Sequence, residues 1–253
     1  MSKLTTRLND ESIISIAKQR YETQQRSKLP SIIVPLTSEG KIYPETHPLH
    51  EGKLEMRYMT AYDEDILTNA SYVREGVLFD KLLESLIVTD ININDIAALD
   101  RDGLIIYARI VSYGAEYPVT VTDPNTKQVL DRTVDLRKIQ SKPFTLIPDI
   151  NGEFSYETEP GTQLKFTYTY KTMSTSSKIS ELLSNIIQQV GNSRKQEDID
   201  NFIRYEFLAG DSKKFRKYVT DNAPGLNFQY EFEGDNGGTF TAGFLVGPDL
   251  FWF

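Results

Sequence analysis

The stretch that decides the fold runs from residue 29 to residue 113 and is centred on residues 53–88, KLEMRYMTAYDEDILTNASYVREGVLFDKLLESLIV. Its first five residues predict a short strand. Thr60 and Asp63 then stand where a helix N-cap and its third helical residue would, a carboxylate variant of the capping box. Within residues 77–88, leucine and isoleucine recur at steps of three and four, which predicts a helix with one buried face. The stretch contains no pattern of a reaction centre and is interpreted as a packing module.

Downstream of this module the pattern alternates between helical and extended segments. A further helix is predicted over residues 99–111. Strands are predicted at residues 116–122 and 128–136, joined by the turn Asp123-Pro124-Asn125. A three-stranded antiparallel sheet is expected from residues 144–147, 153–158 and 163–171. Helices are expected over residues 179–190 and 199–207 and from residue 211, before a last hairpin at residues 226–232 and 239–246.

These elements predict an α+β protein. It consists of a helix-rich central module with a β-hairpin, a small antiparallel sheet, and a C-terminal helical segment with a hairpin. The predicted units are an N-terminal arm or helix (1–28), the central module (29–140), antiparallel strands (141–172), a helical subdomain (173–222) and a C-terminal hairpin with an aromatic tail (223–253).

Composition limits the classes of protein that this chain can belong to. It has 253 residues, 39% of them hydrophobic and 25% charged, which is typical of an ordinary soluble globular protein. A formal charge of −8 disfavours nucleic-acid binding, and residues 213–217 are the one dense basic run. The absence of cysteine excludes disulfides and thiolate zinc sites. No signal peptide and no membrane span are predicted, so we expect a soluble protein made in the cytosol.

Few residues in the sequence are candidates for catalysis or metal binding. His47 and His50, with Glu45 and Glu51 nearby, lie in a proline-rich loop without a third ligand, so two surface histidines are the preferred interpretation. Phosphate-binding glycine loops and the Gly-x-Ser-x-Gly elbow are absent. We therefore predict no catalytic residues, no metal and no cofactor.

Two features favour protein–protein contact instead. The chain carries 13 Phe and 14 Tyr, most of them expected in the core. It also ends in four consecutive large apolar residues that either fold back on their own core or insert into a partner's groove, and the Gly-Pro lead before them favours the partner. The predicted contact residues are this tail, the loop at residues 42–49 and the hairpin turn, represented by Leu250, Phe251, Trp252, Phe253, Tyr43, Pro44, Asp123, Pro124 and Asn125.

Short motifs follow one another in a fixed order over about residues 29–140. They are Leu29-Pro30-Ser31, Gly40, Tyr43-Pro44, Leu54-Glu55-Met56-Arg57, Met59-Thr60-Ala61, Asp63-Glu64-Asp65-Ile66-Leu67, Leu82-Leu83, Asp100-Arg101-Asp102, Arg109, Ser112-Tyr113-Gly114 and Asp135-Leu136. In order and spacing they resemble the baseplate hub proteins and hub assembly factors of T-even-type contractile-tailed bacteriophages.

The resemblance implies a non-enzymatic role in building the baseplate hub, as a hub component or as an assembly chaperone. The implied partners are other hub or tail proteins, met in the host cytoplasm during assembly or in the virion baseplate. Some members of that family carry paired cysteines in the hairpin after the Ser-Tyr-Gly element. Here residues 121–124 are Val-Thr-Asp-Pro, so the metal does not carry over. The alternatives are a hydrolase acting on cell wall or tail components and a host-type regulatory adaptor.

Overall fold

The first element is an antiparallel ribbon of two strands, β1 (Ser31–Pro35) and β2 (Lys53–Arg57), which confirms the strand predicted at residues 53–57. The computed structural model describes residues 29–168, 178–235, 237–244 and 248–252, so the predicted arm at residues 1–28 lies outside the described part. The loop between the strands includes a 3₁₀ turn at Pro48–Glu51.

Four helices follow the ribbon along the chain. They are α1 (Ala61–Leu67), α2 (Ala70–Glu75), α3 (Leu78–Leu86) and α4 (Ala98–Tyr113), with a 3₁₀ turn at Ile93–Asp95. The Thr60–Asp63 capping box at the start of α1 is present as predicted. Leu82, Leu83 and Leu86 are fully buried, so the predicted apolar face of α3 is confirmed.

The hairpin of β3 (Glu116–Thr122) and β4 (Val129–Asp135) leaves the end of α4, as predicted. Asp123 holds its turn, because its carboxylate accepts from Asn125 N and from Thr126 Oγ1, both at 2.8 Å. These bonds, led by the one from the Asn125 amide, lower the pKa of Asp123. A 3₁₀ turn at Leu136–Lys138 leads into the short strand β5 (Gln140–Ser141).

The predicted three-stranded sheet exists, but with a different third strand. β6 (Phe154–Glu157) and β7 (Gln163–Phe166) pair as expected, and β8 (Ile187–Val190) completes the sheet. Residues 144–147 are not a strand, and the helix predicted over residues 179–190 ends at Ile186. The free edge of β7 overrides the helical periodicity there, because ladder hydrogen bonds satisfy the backbone of residues 187–190.

The C-terminal half contains three further helices among the described residues, α5 (Ile179–Ile186), α6 (Gln196–Asn201) and α7 (Ala209–Asp221). A π-helical turn at Phe202–Glu206 extends α6. The sequence pattern predicts that Gly210 closes the second of these helices, but Gly210 lies inside α7. β9 (Leu226–Asn227) pairs with β5, and β10 (Gln229–Glu233) pairs with β11 (Thr239–Gly243) as the predicted hairpin. The described chain ends in a 3₁₀ turn at Pro248–Phe251.

The α+β class predicted from the sequence is confirmed. Buried apolar side chains from the ribbon, the helices, the sheet and the C-terminal turn form one continuous cluster. The helix α4 runs through this cluster and fully buries Leu104. The ribbon and the C-terminal turn therefore rest on the same helix.

We expect Gly103→Ala to reduce the free energy of unfolding by about 1–3 kcal/mol, because a Cβ at Gly103 would lie 2.2 Å from the buried Thr37 Oγ1. Gly210→Ala is the matched helical control, because nothing lies within 4 Å of a Cβ at this position. Its free energy of unfolding should rise by up to about 0.5–1 kcal/mol. Chemical denaturation of both variants measures the difference. Equal stabilities would mean that Thr37 moves aside without cost.

Candidate docking surface

The candidate functional site is the outer edge of β1, which has no neighbouring strand other than β2 in the described part of the chain. Tyr58 N donates to Pro30 O at the end of the ribbon. Hydrogen-bonded and non-hydrogen-bonded residue pairs alternate along an antiparallel ladder. This bond makes Pro30 and Tyr58 a hydrogen-bonded pair, so the next pair along the ribbon is not hydrogen-bonded. The N–H and C=O groups of Ser31 and Ile33 therefore point away from β2, at exposed positions.

Apolar side chains surround this edge on both faces of the ribbon. Tyr58 is opposite Pro30 and shares a face with Ile32, and these two side chains are 41% and 40% exposed. Leu29 and Ile33 belong to the other face and are 37% and 58% exposed. We call Leu29, Ile32, Ile33 and Tyr58 the β1 edge patch. It places two partly exposed apolar side chains on each face of the ribbon, beside an unpaired main chain.

A narrow groove between β1 and α4 borders the patch and has a volume of about 10 Å³. Its apolar walls are Ile32, Val34, Met56, Tyr107, Ala108 and Val111. Arg57 and Ser112 also line it, and Arg57 Nε and Ser112 Oγ are buried atoms without a hydrogen-bond partner in the described structure. An unsatisfied buried polar atom costs about 1–3 kcal/mol, so these two atoms reduce the stability of this part of the fold.

The end of β2 beneath the patch is fixed by a buried ion pair. Arg57 Nη1 and Nη2 each donate to one Asp63 carboxylate oxygen at 2.8 Å, and Ser85 Oγ also donates to Asp63 at 2.8 Å. Burial opposes ionisation of Asp63. The hydrogen bonds from Arg57, Thr60 N and Ser85 outweigh this effect, so the pKa of Asp63 lies below its ordinary value. The ribbon is therefore tied to α1 and α3 by a charged, fully buried contact.

The loop after β1 is held by a second buried carboxylate, Asp100 at the start of α4. Asp100 accepts from Ser38 N at 2.7 Å, from Ser38 Oγ at 2.8 Å and from Tyr43 OH at 2.8 Å. Tyr43 OH in turn accepts from Ala97 N at 3.0 Å. Burial raises the pKa of Asp100, and these hydrogen bonds oppose the shift. The end of β2 and the loop after β1 are thus both tied to the helices by buried hydrogen bonds.

The loop predicted to be an exposed contact is largely buried. Tyr43 is 1% exposed, and Ile42 and Leu49 are fully buried, so the prediction of an exposed loop is wrong for these residues. The Asp100 network explains this, because the Tyr43 hydroxyl reaches into it. Pro44 is half-buried and stays a predicted contact residue.

The C-terminal tail folds back on the protein's own core. Leu250 is fully buried and Phe251 is 2% exposed, so the expectation of a free tail is wrong for these two residues. The buried Arg109 donates from Nε to Leu250 O at 2.8 Å and from Nη2 to Glu116 O at 2.9 Å. Trp252 is 43% exposed and stays a predicted contact, while Phe253 lies outside the described residues.

In the β3–β4 turn, Asp123 is buried by its own turn contacts, which removes it from the contact residues. Pro124 and Asn125 are exposed, and their contact role stays a prediction.

The two histidines have structural contacts. His47 Nδ1 accepts from Leu49 N at 3.2 Å, and its ring stacks on Tyr43 with centroids 4.9 Å apart. Within the described ranges, no three His, Asp or Glu side chains are grouped in a way that could hold a metal ion.

The β1 edge patch was not among the contact residues predicted from the sequence. The signal was present, because Ser31-Ile32-Ile33-Val34 is an uncharged apolar run between Pro30 and Pro35. That this run stays at an open edge depends on the sheet topology, which a local pattern does not contain.

The fold and this surface define an α+β protein that presents an apolar strand edge. A model of the family described as "T4 bacteriophage base plate protein" matches residues 32–238, most of the chain, and the chain therefore belongs to that family. No curated protein and no solved structure matches it. Among the helices described, none is long and apolar enough to cross a membrane.

Proposed function

We propose that this baseplate protein acts non-enzymatically in assembly of the baseplate hub, by binding other hub or tail proteins. It serves either as a hub component in the virion or as a chaperone that holds hub proteins in the host cytoplasm. Family membership supports the baseplate part of this proposal.

The observation that carries the proposal is the β1 edge patch. Four large apolar side chains stay exposed around an unpaired edge, although the chain has a continuous core in which apolar groups could be buried. Fully burying an exposed large apolar side chain is worth about 1.5–3 kcal/mol, and each patch side chain can gain the share that matches its exposed 37–58%. The two buried carboxylate networks tie the ribbon and its loop to the helices, and we expect this to limit the ordering entropy that is lost when a partner binds.

We expect Ile33→Lys to lower the yield of complete baseplates at least tenfold. The measurement uses cells infected with phage that lack this gene and are supplied with the variant, and baseplates are counted by electron microscopy. The introduced lysine side chain would lie opposite Glu55, so the ribbon should tolerate the new charge. Val129→Lys is the control, because Val129 is 68% exposed on another hairpin.

The same infections separate the two roles. A hub component is found in purified particles by mass spectrometry, whereas a chaperone is required for baseplate yield but is missing from the particle. Normal baseplates in the complete absence of the gene would contradict the proposed function.

One cavity favours the alternative of a hydrolase. It lies between α3 and α4, has a volume of about 450 Å³, and contains Asp80 and Asp102 beside the rings of Phe79, Phe228 and Phe244. Desolvation raises the pKa of Asp102, as expected for a general acid. However, Asp80 is paired with Arg101 at 2.8 Å and Asp102 is exposed to solvent, which weakens that desolvation. Release of fragments from purified peptidoglycan by the wild-type chain is the measurement that separates the two functions.

A further inference from the structure

The free main chain of β1 determines what kind of molecule fits its edge. We propose that β1 accepts an extended strand from a neighbouring baseplate subunit, which turns the β1–β2 ribbon into a three-stranded sheet. This inference rests on the proposed function, because it assumes that the chain contacts other baseplate proteins.

The first step is the hydrogen-bonding pattern of the edge. Ser31 and Ile33 present outward N–H and C=O groups roughly 6.6–6.8 Å apart along the strand. An extended chain repeats its donors and acceptors at this same spacing, whereas a helix has already paired its own backbone. The edge therefore selects a strand.

The outward side of β1 carries no charged residue. Exposed edges normally carry charges that discourage pairing. Two outward positions of β10 carry the acidic residues Glu231 and Glu233. Two outward positions of β4 carry the acidic residues Asp131 and Asp135. The corresponding positions of β1 are Ser31, Ile33 and Pro35, all uncharged. Pro35 has no N–H, so pairing is limited to the end of β1 that carries the apolar patch.

The net charge of the chain decides the source of the strand. Each copy carries a formal charge of −8, so two copies paired edge to edge through β1 would bring two strongly acidic chains into contact. A strand from a different subunit does not have to carry this charge, so we assign the strand to a different baseplate protein.

The patch residues set the side chains that this strand needs. Leu29, Ile32, Ile33 and Tyr58 are partly exposed apolar side chains, so they favour β-branched or other apolar side chains in the strand that pairs with β1. The fitting partner is therefore an extended apolar segment.

The test replaces one outward N–H without disturbing the ribbon. Ile33→Pro removes the donor and places a ring on the edge, while the ladder to β2 uses the alternate residues Ile32 and Val34. Ile33→Val keeps the N–H and the apolar side chain. Thr133→Pro places the same change at an outward position of β4. Chemical denaturation verifies that each full-length variant folds.

We expect Ile33→Pro to lower baseplate yield at least tenfold, with Ile33→Val and Thr133→Pro close to wild type. We also expect amide exchange at residues 31 and 33 to be fast in the free full-length protein and at least tenfold slower in the complex isolated from assembling baseplates. If baseplates require the gene but Ile33→Pro supports them fully, strand addition is overturned while the proposed function stands.

Other occupants of the edge give distinct results, each of which overturns the proposal. Slow exchange at residues 31 and 33 in the free monomer would mean that this chain already covers its own edge. A dimer in sedimentation that Ile33→Pro dissociates would mean that the occupant is a second copy.

Discussion

Replacing Phe251 with alanine is expected to lower the free energy of unfolding by about 3–5 kcal/mol, the loss typical of an aromatic side chain removed from a packed core. Phe251 is 2% exposed, and its ring centroid lies 6.3 Å from that of Phe79 and 6.1 Å from that of Tyr113. Leu250→Ala should cost about 2–5 kcal/mol for the same reason. Chemical denaturation of the full-length chain measures both losses.

The neighbouring residue provides the control for this prediction. Trp252 is 43% exposed, so Trp252→Ala should change the free energy of unfolding by no more than about 1 kcal/mol. The opposite result, in which Phe251→Ala leaves unfolding unchanged and abolishes baseplate assembly, would make the tail a ligand for a partner.

The position of the C-terminal tail could not be predicted from the local sequence. Four consecutive apolar residues gain the same transfer free energy in their own core as in a partner's groove, so hydrophobicity alone does not decide between the two. The deciding contact is Arg109 Nε to Leu250 O, which joins residues 141 positions apart. A local pattern contains no information about such a contact.

Elements defined by local chemistry were predicted well. The capping box at Thr60, the leucine face of α3 and the turn at Asp123 each depend on residues within four positions of one another. The helix prediction was wrong for Ile187–Val190, because a distant part of the chain determines its structure. Its spacing suits a helix, but β7 offers an unpaired edge from more than 20 residues away, and pairing with that edge determines the structure.

The candidate site depends both on local sequence patterns and on contacts between residues that are distant in the sequence. The apolar run at the start of β1 is visible in the sequence, and so is the Asp63 side chain that supports it. The pairing of Asp63 with Arg57 and Ser85 joins α1 to β2 and α3, and only the assembled fold brings these three side chains together. Sequence reasoning explained Asp63 by its position at a helix start and missed its ion pair.

Asp63→Ala is the most direct test of this support, with an expected loss of about 3–5 kcal/mol in the free energy of unfolding. The variant leaves the Arg57 guanidinium buried at 5% exposure without its carboxylate, and it removes the cap at Thr60 N. Asp65→Ala is the matched control, because Asp65 is exposed on the same helix and should change stability by no more than about 0.5 kcal/mol. Chemical denaturation at neutral pH compares the two variants.

The pH dependence of this loss identifies its cause. The pKa of Asp63 is lower in the folded protein than the ordinary value of 3.8, so the folded state binds fewer protons at this group than the unfolded state does. Its contribution is therefore fully present above the ordinary pKa and declines as pH falls through the lower folded value. The difference in stability between wild type and Asp63→Ala should stay constant from pH 7 to about 5 and narrow below about 4. A difference that does not narrow in acid would mean that lost packing, and not the ion pair, supports the ribbon.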